Sequence, residues 1–127
     1  MTAAPPFVLH HAQIAAPRGC EAAARRFFME ICGMIEVPKP PSLAARGGIW
    51  LDFGGTQLHV GVEEPFRPAR KAHPAFEVAD LDALRVRLAQ HGIRTWDDEP
   101  YPGRRRFYAD DPWGNRLEFL SRPEGAP

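Results

Sequence analysis

The chain has 127 residues, 44% of them hydrophobic and 25% charged, with a formal net charge of zero. That fits one compact domain, or two small modules sharing a core. Zero net charge gives no general pull toward nucleic acid or an anionic membrane, and no apolar run approaches the roughly 18 residues a membrane helix needs.

Met1–Pro6 lacks a basic stretch followed by an apolar one. No signal peptide is therefore expected, and the default compartment is the cytoplasm. Val8 to Ala15 alternates loosely and predicts a strand, with His11, Gln13 and Ala15 on one face. Pro17-Arg18-Gly19 breaks it. Cys20 to Ile31 predicts a helix, because Cys20, Ala23, Ala24, Phe27, Phe28 and Ile31 follow an i, i+3, i+4, i+7 stripe. Gly33 suits the position just past its end. Cys20 and Cys32 lie about 18 Å apart along such a helix, too far for a disulfide.

Ile35 to Val37 predicts a short strand before a proline-rich loop. Gly48 to Phe53 and Thr56 to Val62 both alternate, around a Gly54-Gly55 hairpin signal. In the second of these, Leu58, Val60 and Val62 oppose Gln57, His59 and Gly61. Glu63 to Lys71 is the best linker. Ala72 to Val78 predicts a strand, with His73, Ala75 and Glu77 sharing a face. Asp80 can N-cap a helix to about Gln90, ended by Gly92. Short strands are predicted at Ile93–Trp96, Arg105–Ala109 and Asn115–Leu120.

The order is strand, helix and three strands, then the same again, which is an internal duplication. Gly55-Thr56-Gln57-Leu58-His59-Val60 falls on Gly114-Asn115-Arg116-Leu117-Glu118-Phe119, so His59 falls on Glu118. His11-Ala12-Gln13 falls on His73-Pro74-Ala75. Each copy thus carries one metal-capable side chain on its first strand and one on its last, on the face away from the apolar residues.

Taken singly, each has an ordinary alternative. His11 beside His10 can be a surface histidine, and His59 can lie on a wet face. His73 can be a satisfied strand histidine, and Glu118 can form a charge pair with Arg116. Four such residues at duplicated positions favour a shared site instead. Imidazole and carboxylate donors suit one divalent ion of borderline hardness: Zn, Ni, Co, Mn or Fe(II). Arg104-Arg105-Arg106 and Arg67–Lys71 read as solvated loops, with an anion grip as the alternative. Trp50 and Tyr108 read as core packing or a dimer contact, with a pocket lining as the alternative. Glu77 reads as a partner of His73 or as exposed.

From about Phe7 to Arg122 the chain resembles the vicinal oxygen chelate superfamily. This family includes glyoxalase I, extradiol dioxygenases, methylmalonyl-CoA epimerase, and the fosfomycin- and bleomycin-resistance proteins. The resemblance is carried by the run His73-Pro74-Ala75-Phe76-Glu77-Val78-Ala79-Asp80-Leu81-Asp82 and by Asp111-Pro112-Trp113-Gly114-Asn115-Arg116-Leu117-Glu118. It implies an α+β fold of two tandem βαβββ modules, about 7–63 and 72–121 with a linker at 64–71, forming a curled mixed sheet around a metal cleft. It implies a homodimer in most members. It also matches the family's ligand positions to His11, His59, His73 and Glu118. Glyoxalase I usually has Glu where this chain has His59, so His59 is a fourth ligand or a general base.

The expected function is a metal-dependent lyase, isomerase or transferase acting on a small oxygenated molecule that chelates the ion. Two alternatives stand beside it: an Fe(II) extradiol-type dioxygenase, and a metal-free ligand-sequestering protein of the bleomycin-resistance kind.

Overall fold

The computed structural model describes residues 6–125. The first module runs β1 (His11–Ala16), α1 (Glu21–Ala24), β2 (Ile35–Val37), α2 (Pro41–Ala44), β3 (Ile49–Asp52) and β4 (Gln57–Val62). The second runs β5 (Ala75–Val78), α3 (Leu81–Gln90), β6 (Thr95–Trp96), β7 (Arg106–Asp110) and β8 (Arg116–Ser121). Each module folds into a four-stranded mixed sheet, ordered β1-β4-β3-β2 and β5-β8-β7-β6. In both, the first and last strands pair in parallel and the rest are antiparallel. The duplication seen in the sequence is therefore a duplication of topology. No described helix is long and apolar enough to cross a membrane.

The sheet register confirms the alignment of the two copies. Gln13 pairs with His59, and Ala75 pairs with Glu118. His11 and His73 each lie two residues before those partners, so they occupy equivalent places. Across the hairpins, Trp50 pairs with His59 and Tyr108 with Glu118.

Four local expectations change. The predicted strand from Val8 begins at His11. The β4 backbone reaches back only to Gln57, whose N–H donates to the His10 carbonyl, so residues 7–9 have no ladder to join. The predicted strand from Ala72 begins at Ala75, which leaves His73 just ahead of it. The predicted helix is α only for Glu21–Ala24 and continues in π geometry over Arg25–Ile31. The stripe still buries Phe27, Phe28 and Ile31. Gly33 then ends it at φ +83, where the Met34 N–H donates to the Phe28 carbonyl. The four-residue α2 falls in the segment read as a proline-rich loop; Pro41 opens it, where the missing N–H costs nothing.

One apolar core serves both modules. It includes Phe28, Ile49, Leu51 and Leu58 from the first and Leu88, Phe107 and Leu117 from the second. Each is worth about 1.5–3 kcal/mol when fully buried. Phe53 meets Phe76 edge-on at 5.0 Å, and Phe76 packs on Phe119 at 5.7 Å.

The turn between β7 and β8 contributes a polar pin. Asp111 Oδ1 accepts from the Trp113 and Asn115 backbone N–H groups at 3.0 and 2.9 Å. Asn115, 1% exposed, donates from Nδ2 to Asp111 Oδ2 and to the β1 carbonyl of Ala15. Its Oδ1 accepts from the linker N–H of Ala69. The Asp111–Asn115 part of the motif that carries the family resemblance is thus structural: it ties the second module to the linker and to β1.

Candidate metal centre

The faces of both sheets away from the core carry the four predicted donors. Alternation puts Leu58 and Val60 inward and Gln57, His59 and Gly61 outward on β4. It puts Leu117 and Phe119 inward and Arg116 and Glu118 outward on β8.

In the first module His11 and His59 stack at 4.1 Å, and Trp50 stacks on the other side of His59 at 4.2 Å. His11 is exposed and touches His10 through their Nδ1 atoms at 2.9 Å. His59 is only 5% exposed, and its Nε2 meets Gln57 Oε1 at 2.8 Å. Burial pushes its pKa down to about 4, helped by the neighbouring His11, His10 and Lys39. At neutral pH this imidazole is neutral, as a metal ligand must be. As a proton acceptor it is poorly matched to pH 7.

In the second module His73 Nδ1 lies 2.8 Å from the Lys71 carbonyl. A carbonyl only accepts, so Nδ1 carries the hydrogen. His73 Nε2 lies 2.9 Å from Glu118 Oε1. With Nδ1 protonated, a neutral His73 would set an imidazole lone pair against carboxylate oxygen. The contact needs a positive charge between the two atoms, either a proton on Nε2 or a metal ion in its place. Glu118 is 6% exposed, and its second oxygen accepts from Arg106 at 3.3 Å. Tyr108 meets His73 edge-on at 5.5 Å.

The donors fit a borderline divalent ion in kind, and the fixed tautomer of His73 is the arrangement that orients a metal-bound imidazole. Within one chain they form two pairs, His11 with His59 and His73 with Glu118. Among the described residues no three His, Cys, Asp or Glu side chains converge to hold an ion.

Other expectations resolve differently. Arg116 is not paired with Glu118; its guanidinium lies 5.3 Å over the Tyr108 ring. Of the two readings of Glu77 the exposed one holds, with its carboxylate on Arg104 and not on His73. Trp50 and Tyr108 stand beside the donors, at equivalent places in the two modules. The signal for them was present in the duplication, as an aromatic residue opposite His59 and another opposite Glu118. Arg106, read above as part of a solvated loop, instead opens β7 and reaches Glu118 across the hairpin, a partnership visible only once register is known; Gln57, two residues before His59 on the same strand, carries no functional signal of its own.

A polar recess of about 230 Å³ adjoins the first pair, lined by Gln13, Lys39, Leu43, Arg46, Trp50 and Gly61 among others. A side chain at Gly61 would begin 2.3 Å from the Gln13 amide, so glycine here lets that amide lie flat against the floor of the recess. A larger cleft of about 350 Å³ lies between the modules on their apolar side, against Met34, Phe53, Phe76 and Phe119. It contains none of the four donors, so size alone does not mark the site.

The His59 environment makes the metal-free protein sensitive to acid. Its folded pKa lies below the ordinary histidine value of 6.5, so the unfolded chain binds more protons between pH 6.5 and 4. Stability is complete above that window and falls as pH drops through it. A loss of about 2–3 kcal/mol is expected across the window in the presence of a chelator. Denaturant melts of wild type and His59→Gln at pH 7, 5.5 and 4 check this, since the variant should lack that slope. Identical slopes would remove His59 as the cause.

The family model of the Glyoxalase/Bleomycin resistance protein/Dioxygenase superfamily matches residues 9–119. A solved glyoxalase family protein from Bacillus anthracis is 45% identical, with a TM-score of 0.89 over 95% of this chain and 99% of that one. Oxidase ChaP-H1 is 28% identical, with a TM-score of 0.72 over 94% and 99%. A 2-epi-5-epi-valiolone epimerase of Actinomyces is 44% identical over 43% of this chain. That match spans only 34% of the epimerase's length.

Proposed function

Because the chain belongs to the glyoxalase, bleomycin resistance and dioxygenase superfamily, we propose that it is a metal-dependent enzyme acting on a small oxygenated molecule. One divalent ion would be held by His11, His59, His73 and Glu118, within a domain spanning about 7–121. The carrying observation is the His73–Glu118 contact, a fixed imidazole tautomer whose free lone pair faces a buried carboxylate. An ion there supplies Lewis acidity to the substrate's oxygens.

The chain's own residues do the rest. Lys71 and Arg106 orient His73 and Glu118 respectively. Trp50 excludes water from one face of His59. The recess at Gly61, with Gln13, Lys39 and Arg46, takes polar groups of the substrate. His59 acts as a ligand in preference to a base, given a pKa of about 4. The relatives' names, an oxidase and an epimerase, agree with chemistry on oxygenated substrates but select no reaction.

We further propose that two copies complete each site, the His11–His59 pair coming from one chain and the His73–Glu118 pair from the other. The two pairs lie on separate sheets and do not converge within a chain. Phe7, Val8 and Leu9, just ahead of β1, are 86%, 90% and 69% exposed. An exposed apolar run of this kind supports a contact with a second chain.

The test is complementation. His11→Ala/His59→Ala chains and Glu118→Ala chains, each expected to bind no metal, are unfolded, mixed and refolded together. Metal is then measured by elemental analysis. Shared sites would regain one ion per mixed dimer. No ion in the mixture, with one ion per wild-type chain, would place the whole site within a single chain. No ion in wild type after anaerobic addition of Zn, Ni, Mn and Fe(II) would sink the metal reading and favour a ligand-sequestering protein.

A further inference from the structure

Beside the His73–Glu118 pair, the outward face of the second module carries two stacked rings and four arginines. Trp96 stacks on Tyr108 at 5.9 Å. Arg94 and Arg70 lie 4.7 and 5.9 Å over Trp96, and Arg116 and Arg106 each lie 5.3 Å over Tyr108. Tyr108 in turn touches His73, so the rings lead directly to the candidate ligands.

The four guanidinium groups are not alike. Arg70 is spent on Asp110 and the Gly114 carbonyl. Arg106 is held by Glu118 and the Glu99 carbonyl. Arg116 and Arg94 have no carboxylate partner among the described residues. Arg116 Nε is moreover the one buried side-chain nitrogen or oxygen among the described residues that lacks any hydrogen-bond partner. A buried donor left unpaired is costly, and a charged one more so. Stacking on Tyr108 orients the fork but gives its N–H groups no acceptor.

Arg116 as a whole is only half-buried, so an oxyanion reaching the open side of its fork would supply acceptors that the protein does not. Carboxylate and phosphate present paired oxygens at the spacing of an arginine fork. Trp96, which is only half-buried beside Tyr108, offers a flat apolar surface to an unsaturated body attached to that group. We infer that Arg116, assisted by Arg94, is an anion-recognition site that binds a carboxylate or phosphate on the substrate and sets its metal-chelating oxygens toward His73 and Glu118. This deepens the proposed function and rests on it. It narrows the substrate class to oxygenated molecules carrying an oxyanion on a flat frame.

The test uses the full-length protein in chelator, so that the ion plays no part. Tryptophan fluorescence follows titration with benzoate, phenyl phosphate and uncharged benzamide. Wild type should bind at least one of the anions about tenfold more tightly than benzamide, which corresponds to about 1.4 kcal/mol. Arg116→Gln should lose that preference and Arg94→Gln should lose about threefold, while Arg122→Gln, an exposed residue away from the rings, should keep it. Arg116→Lys, which retains charge but not the fork, should fall between. Circular dichroism confirms folding; if Arg116→Gln does not fold, the Lys and Arg94 variants decide. Equal binding of anions and benzamide by wild type would overturn the inference, as would unchanged preference in the folded Arg116 and Arg94 variants. Metal content separates the two claims. Wild type that binds the anion but never an ion defeats the metal reading alone. Wild type that holds an ion but shows no anion preference defeats this one alone.

Discussion

Glu118→Gln is expected to weaken divalent-ion binding by more than about 100-fold while leaving the fold intact. Removing a hydrogen bond that merely supports a ligand costs about 10- to 100-fold in affinity. Removing the only anionic donor of the set must cost more. The glutamine keeps the shape and the place on β8, buried at 6% exposure opposite Tyr108. What changes is the charge. A neutral amide cannot balance a divalent ion, and its NH2 group competes for His73 Nε2, which now faces Oε1 at 2.9 Å. Arg106 loses its carboxylate but keeps the Glu99 carbonyl, so the loop before β7 should hold. Competition against a chelator of known affinity measures the effect. An affinity within tenfold of wild type would remove Glu118 from the ligand set and return it to the role of a charge partner for Arg106. The same assay on His73→Gln should give a loss of similar size, because both residues flank one point.

The duplication makes most of this legible in the sequence. Matching Gly55–Val60 with Gly114–Phe119 gave the module topology and the equivalence of His59 with Glu118, and the register of both sheets agrees. Alternation set the faces, since a period of two is rigid over four to six residues. Three things could not be read that way. The strand ends depend on what lies opposite, which is why residues 7–9 pair with nothing. The orientation of His73 depends on the Lys71 carbonyl two residues earlier, a turn contact with no sequence signature. The freedom of Arg116 depends on which of two carboxylates each neighbouring arginine takes. Composition shows sixteen basic and sixteen acidic residues, and only the fold shows that the balance fails around Trp96 and Tyr108. Any meeting of the His11–His59 pair with the His73–Glu118 pair would lie between sheets, where neither period nor register reaches.

Asn115→Ala is expected to be the most destabilising single polar substitution, by about 3 kcal/mol. Asn115 closes three contacts at once, to Asp111 Oδ2 at 2.7 Å, the Ala15 carbonyl at 2.8 Å and the Ala69 N–H at 2.9 Å. Truncation leaves all three partners without it, at about 1–3 kcal/mol for each that water fails to reach. For a chain of this length the melting temperature should fall by about 10 °C. A second signature separates this pin from ordinary packing. Burial already raises the pKa of Asp111, and the Asn115 amide is the largest influence holding it down. Without that amide the folded carboxyl should titrate still higher. A group whose folded pKa lies above its unfolded value contributes stability at low pH and loses it as pH rises. The variant's deficit should therefore grow from about pH 4 upward. A drop of comparable size that is flat with pH would mean the side chain acts by filling space. A melting temperature within about 2 °C of wild type would mean that the turn holds the modules together without it.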